Sequence, residues 1–156
     1  MDAMKQKGGT AVNERKRAME LLAKASAAEL TAGWQAIEPK PEVHAVRGPE
    51  SGLVMVRGRI GGGGDAFNLG EATVSRATVR LGSGEIGHGQ LLGNDREKAR
   101  LAAVFDALHQ RAEHRPAVDS LIDAVESRIE AEDRKQAEQT AATRVDFFTM
   151  VRGEDS

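Results

Sequence analysis

The sequence predicts an α+β fold: one domain with a central antiparallel sheet of about four strands, flanked by N-terminal and C-terminal helices. Three observations carry this. Helical periodicity comes first, a run of strand-like segments joined by glycine-rich turns follows, and helical periodicity returns. The strand-like segments succeed one another with no helix between them, so no βαβ alternation builds a parallel sheet. And 156 residues make one ordinary domain, long enough to bury a core without a disulfide or metal staple.

Residues 1–10 are polar and glycine-bearing and read as a flexible N-terminus, leaving 11–156 as the domain. From about Val12 the chain reads as a helix, with Thr10 or Asn13 as its cap and Met19, Leu22 and Ala23 as a weak apolar stripe. Ser26 and Glu29 have capping-box spacing and start a second helix that covers Leu30, Trp34 and Ile37; Pro39 and Pro41 stop it. Val43 to Arg47 is a short strand, Gly48 to Gly52 a turn, and Leu53 to Ile60 a second strand that ends at Gly61–Gly64. Thr73 to Leu81 is the clearest strand, and Gly82-Ser83-Gly84 turns it into Glu85–Leu92. Asn94 or Asp95 then caps a helix with the stripe Leu101, Val104, Phe105 and Leu108. After Arg115-Pro116 a second stripe runs through Val118, Leu121, Ile122, Val125 and Ile129. Polar residues follow to about Ala142, and the last segment turns apolar again.

Composition excludes several functions. Without cysteine there is no disulfide framework, thiol nucleophile, thiolate-bound zinc or iron–sulfur cluster on this chain. A net charge of −2 gives no basic footprint for nucleic acid. No apolar run reaches the ~20 residues that cross a bilayer, and the opening MDAMKQKGGT lacks a signal peptide's apolar stretch, so the expected location is the cytoplasm. With four Phe, one Trp and no Tyr, the core must be aliphatic or find help from a partner.

Candidate chemistry is sparse. Gly61–Gly64 suggests a phosphate cradle, but it lacks the Lys-Ser/Thr of a Walker A loop and precedes a strand rather than a helix, which favours an inter-strand loop. Every Lys-or-Arg position from 43 to 92 is arginine. Strand alternation puts Arg76 and Arg80 on one face, opposite Ser75, Ala77, Val79 and Leu81, and puts Arg57 with Arg59. Guanidinium forks suit phosphate or carboxylate, which makes Arg59, Arg76 and Arg80 anion-binding candidates against the plainer reading of a wet sheet face. The four histidines have no metal-ligand spacing, no pair of carboxylates is singled out, and Thr73 and Ser75 have no local base, so no catalytic or metal residue is assigned. The terminal segment holds Phe147 and Phe148, two of the five aromatics, with Met150, between Arg144, Asp146 and Arg152. An apolar terminus bordered by charges packs on its own sheet or on another chain, and these six residues are the partner-interface candidates.

Two stretches carry a resemblance. Arg59-Ile-Gly-Gly-Gly-Gly-Asp-Ala-Phe67-Asn-Leu-Gly70-Glu-Ala-Thr73-Val-Ser-Arg76-Ala-Thr-Val-Arg80-Leu81 resembles the central signature of the G subunit of the carbon–phosphorus lyase system, the PhnG family. Arg144-Val-Asp-Phe-Phe-Thr-Met-Val-Arg-Gly153 followed by an acid resembles that family's C-terminal signature, and Gly87 to Asp95 fits by position. The resemblance covers residues 52–110 and 143–155. It implies a subunit of a cytoplasmic complex that acts, with the H, I and ATP-binding-cassette-like L proteins, on ATP and an alkylphosphonate. The ribose triphosphate of ATP is joined to the phosphonate and adenine is released. It implies that the I subunit is the most direct partner, with H and J beside it. The iron–sulfur cluster and S-adenosylmethionine of the later cleavage belong to J, and this chain alone holds no cofactor. Two alternatives stay open: a purely structural assembly subunit, and an independent small-molecule-binding α+β domain.

Overall fold

The computed structural model describes the backbone of residues 2–59 and 63–153 and the side chains of 8–59 and 63–144. In chain order its elements are α1 Asp2–Lys24, α2 Ala27–Ala36, β1 Val43–Arg59, β2 Ala66–Leu81, β3 Ile86–Leu92, α3 Arg96–His109 and α4 Arg115–Gly153. The fold is α+β, and the described sheet is antiparallel with the order β1-β2-β3.

The sheet has three strands where about four were expected, because 43–47 and 53–60 are not separate. β1 runs through Gly48-Pro49-Glu50-Ser51-Gly52 without reversing. Register shifts between Ala45 and Arg47 and between Arg47 and Glu50 absorb the extra residues, and Gly48 takes a φ of 70° that a side chain would oppose. α1 begins at Asp2, well before the expected start near Val12. Glycine lowers helix propensity by about 1 kcal/mol without forbidding the conformation, so Gly8 and Gly9 do not end it. Of the two expected caps of α3, Asn94 and Asp95, it is Asp95 whose side chain accepts from Lys98 N at 3.0 Å. The terminal segment continues α4 rather than forming a separate piece.

α3 is the centre of the body. Ten consecutive-turn residues from Ala99 to His109, Arg100 excepted, are buried. One side packs on β2 and β3; the others meet α1, α2 and α4. Leu22, Leu30, Val79, Leu81, Val104, Phe105, Leu108, Val118, Ile122 and Val125 fill the core. The helices lie on one face of the sheet, and along β3 inward Gly87, Gly89 and Leu91 alternate with exposed residues.

The edge of β3 is closed by side chains rather than by a strand. His88 N donates to Asp106 Oδ2 at 2.8 Å, and Gln110 Nε2 donates to Ile86 O at 2.7 Å. Asp106 is fully buried and also receives Arg15 Nη2 at 3.0 Å and Nε at 3.2 Å, which joins α1, α3 and β3 at one carboxylate.

The capping box also ties α4 to the α1–α2 junction. Ser26 Oγ accepts from Glu29 N at 3.1 Å, Ser26 N donates to Glu29 Oε1 at 2.9 Å, and Arg128 Nε donates to the same oxygen at 3.0 Å. The Arg128 hydrogen bond is the main cause that holds the Glu29 carboxyl below its ordinary value of 4.5. A depressed folded pKa gives stability that is complete above the unfolded value and is lost as pH falls through the folded one. The melting temperature of the native chain should therefore exceed that of Glu29→Gln by a constant margin above about pH 5.5, and the margin should shrink below 4.5. A margin that is flat down to pH 3 would remove this contact from the account.

Candidate functional site

β2 carries the arginines that strand alternation groups. Arg76 and Arg80 are exposed on the open side of the sheet, opposite buried Ser75, Ala77, Val79 and Leu81. Arg76 is already engaged: its Nε donates to Glu50 Oε1 at 2.6 Å, and Arg47 Nε donates to the same oxygen at 3.1 Å. The hydrogen bond from Arg76, ahead of the charge of Arg47, holds the Glu50 carboxyl below the usual range. Arg80 lies opposite His44 in the register and makes no ion pair among the described residues. Arg59 is not gathered with these two. It pairs with Ala66 at the far end of β1, nine residues beyond the Glu50–Arg76 pair, or about 30 Å at ~3.3 Å per residue.

Beside Arg76 a shallow pocket of about 340 Å³ is lined by Glu50, Ser51, Leu53, Val54, Val74 and Gln90 among others. Sequence reasoning missed Glu50 and Ser51, which sit in a stretch that reads as a turn. No local signal marks Glu50 as the partner of a residue 26 positions away. Ser75 itself is committed to structure. Its hydroxyl donates to Gly93 O at 2.7 Å, accepts from Asp95 N at 3.0 Å and lies 2.9 Å from Ser51 Oγ. It fixes the turn into α3 and faces no base.

A second cavity of about 470 Å³ lies where α1, α3 and α4 meet. Its polar side chains are paired: Arg115 with Glu14, Arg17 with Asp123 at 3.7 Å and with Glu126 beyond the lining, and His109 Nε2 lies 2.7 Å from Asp119 Oδ1. Among the described residues no group of three or more His, Asp or Glu is placed to hold a metal ion. No helix there is long and apolar enough to cross a membrane.

Two parts extend beyond the packed body. α4 buries its stripe only as far as Ile129, and every side chain from 130 to 144 is exposed. Arg144 is on that stretch; the side chains of Asp146, Phe147, Phe148, Met150 and Arg152 lie outside the described residues. The other part is the outer half of the β1–β2 hairpin, Gly52–Arg59 paired with Ala66–Thr73. β3 ends opposite Val74, so this half is a two-stranded ribbon.

The chain matches a family model described as phosphonate metabolism protein PhnG over residues 13–153. It is 66% identical over 155 residues to the alpha-D-ribose 1-methylphosphonate 5-triphosphate synthase subunit PhnG of Rhizobium meliloti (strain 1021), covering 99% of each chain.

Proposed function

Because this chain belongs to the PhnG family of phosphonate metabolism proteins, we propose that it is a subunit of the alpha-D-ribose 1-methylphosphonate 5-triphosphate synthase of the carbon–phosphorus lyase system. The observation that carries this is the 66% identity over 99% of both chains with a relative of that name. In the reaction the ribose triphosphate of ATP is transferred to an alkylphosphonate and adenine leaves. The chain takes part as one component of a multi-subunit cytoplasmic enzyme, with the I-type subunit as its most direct partner and the H, J and ATP-binding-cassette-like proteins in the same assembly. ATP and the phosphonate are substrates of the whole. The iron–sulfur cluster and S-adenosylmethionine serve the later cleavage on another subunit.

A supporting role for this chain fits its geometry. The buried hydroxyl of Ser75 is consumed by backbone partners, and the polar side chains around the cavity between α1, α3 and α4 are paired with one another. Phe147, Phe148, Met150, Arg144, Asp146 and Arg152 remain proposed contacts with a partner. Of the anion-binding candidates, Arg80 is the better placed on the sheet face, since Arg76 is taken by Glu50.

The test is release of adenine from ATP plus methylphosphonate by the reconstituted subunits, with and without this chain. Phosphonate-dependent release that requires the chain is the expected result; equal release without it would overturn the subunit reading. In the same assay Arg80→Ala should raise KM about 10-fold or more, the loss of one charge-assisted hydrogen bond at ~1.5–3 kcal/mol. Arg76→Ala should change it less. An unaltered KM in Arg80→Ala would remove Arg80 from the substrate site.

A further inference from the structure

The outer ribbon is apolar where a free protein should be polar. Leu53, Val54, Met55, Val56, Phe67 and Leu69 are all exposed, Leu53 by 67% and Leu69 by 63%. They lie together on sixteen residues of hairpin, whereas single exposed hydrophobics elsewhere on a surface need no explanation.

The register sorts them into two faces. Val54 pairs with Ala72, Val56 with Gly70 and Gly58 with Phe67. The extra residue of the bulge beside Val56, Leu69, has its Cδ1 only 3.0 Å from where a Cβ on Gly58 would stand, so it lies on that same face. This face carries Val54, Val56, Phe67 and Leu69 and no polar side chain. The other face has Leu53 and Met55 at its base, paired with Thr73 and Glu71, and Arg57 and Arg59 toward the tip, paired with Asn68 and Ala66. Neither arginine makes an ion pair among the described residues.

Among the described residues, neither outer edge of the ribbon has a neighbouring strand. The edge of β3 is capped by Asp106 and Gln110, but among the described residues no side chain caps Leu53 to Val56 in that way. A long apolar edge is what single-chain proteins avoid, and a two-stranded ribbon alone is at best marginally stable in water.

Resting on the subunit reading above, we propose that this ribbon inserts into a cleft of another subunit of the synthase. The cleft has apolar walls and carboxylates at the depth reached by Arg57 and Arg59. The two faces decide the occupant. A two-fold contact with a second copy uses one patch on each copy, so it would cover the Val54–Leu69 face and leave Leu53 and Met55 in water. A cleft covers both faces, and its acidic end complements the paired arginines. The ribbon thus supplies an interface besides the one proposed for the C-terminal residues.

The test uses the full tagged chain co-expressed with the remaining synthase subunits. A Val54→Asp, Leu69→Asp double variant changes only exposed positions, so it should melt near the native temperature yet bind its partner at least ~30-fold more weakly, as expected for loss of interface hot spots. Arg57→Glu with Arg59→Glu should weaken binding as well, and native binding should weaken with added salt. Photocrosslinking residues at Met55 and Val56, one per face, should both attach to the same other subunit. These crosslinks decide the matter should the aspartate variant fail to fold. Normal assembly by a folded aspartate variant would overturn the ribbon's role and leave the subunit reading standing. Crosslinks to a second copy, or from one face only, would overturn the cleft. A native chain that co-purifies with no subunit would overturn the subunit reading itself.

Discussion

Gly87→Ala should cost upward of 3 kcal/mol and lower the melting temperature by roughly 10 °C, at ~2–4 °C per kcal/mol for a domain of this size. A Cβ at Gly87 would stand 1.9 Å from Ala103 O, 2.7 Å from Ala107 N and 2.8 Å from Ala107 Cβ. At Gly89 it would stand 2.2 Å from Ala99 O and 2.8 Å from Ala103 N. These obstacles are helix backbone, which no rotamer change relieves. The sheet meets α3 glycine against alanine, so a methyl group can enter only if α3 moves away. α3 also packs against α1, α2 and α4, so its displacement strains the whole core. Gly87→Ala combined with Gly89→Ala should prevent folding. Gly52→Ala is the control, because nothing lies within 4 Å of its Cβ position and its melting should be unchanged. A Gly87→Ala protein that melts within a degree of the native one would refute this packing.

Asp106→Ala should destabilise the chain by about 1–3 kcal/mol, the range for leaving a donor without its partner, since the carboxylate is buried but the Arg15 side chain reaches solvent. The carboxylate is wholly inaccessible and serves three donors: Arg15 Nε, Arg15 Nη2 and the His88 amide. Its loss strands the His88 N–H at a partly buried sheet edge and leaves the half-exposed Arg15 guanidinium without its counter-charge. Asp106→Asn keeps an acceptor for His88 but turns an amide donor toward Arg15, so it should still cost more than ~1 kcal/mol. Urea unfolding supplies the check. In a double-mutant cycle, Arg15→Ala should cost clearly less in the Asp106→Ala background than in the native one. Additive costs would mean that the two side chains do not act together.

Legibility followed the range of the interactions. The Ser26–Glu29 capping box, the Asp95 cap, the α3 stripe and the two faces of 73–81 are all set by neighbours within a few residues, and the sequence shows them directly. The Asp106–Arg15 contact spans 91 residues and the Arg76–Glu50 pair 26, and no periodicity announces either. The segment Gly48 to Gly52 has every mark of a turn; it stays in β1 because a bulge absorbs it while pairing with β2 continues on both sides. The same continuity hides the ribbon in the sequence, since Leu53 to Ile60 reads as one more separate strand of the sheet. The arginines were grouped correctly by face, but distance along β1 separates Arg59 from Arg76. The family was legible through its two signatures rather than through any physical pattern in them.

By this proposal a self-sufficient body carries an apolar ribbon for another subunit. Hydrogen exchange on the full chain, free and in the assembled synthase, tests it most directly. Amides of α3 and β3 should be protected in both states. Those on the open edges of Gly52–Arg59 and Ala66–Thr73 should exchange quickly in the free chain and slow at least ~10-fold on assembly. Ribbon exchange that is the same in the free and assembled chain would contradict the account.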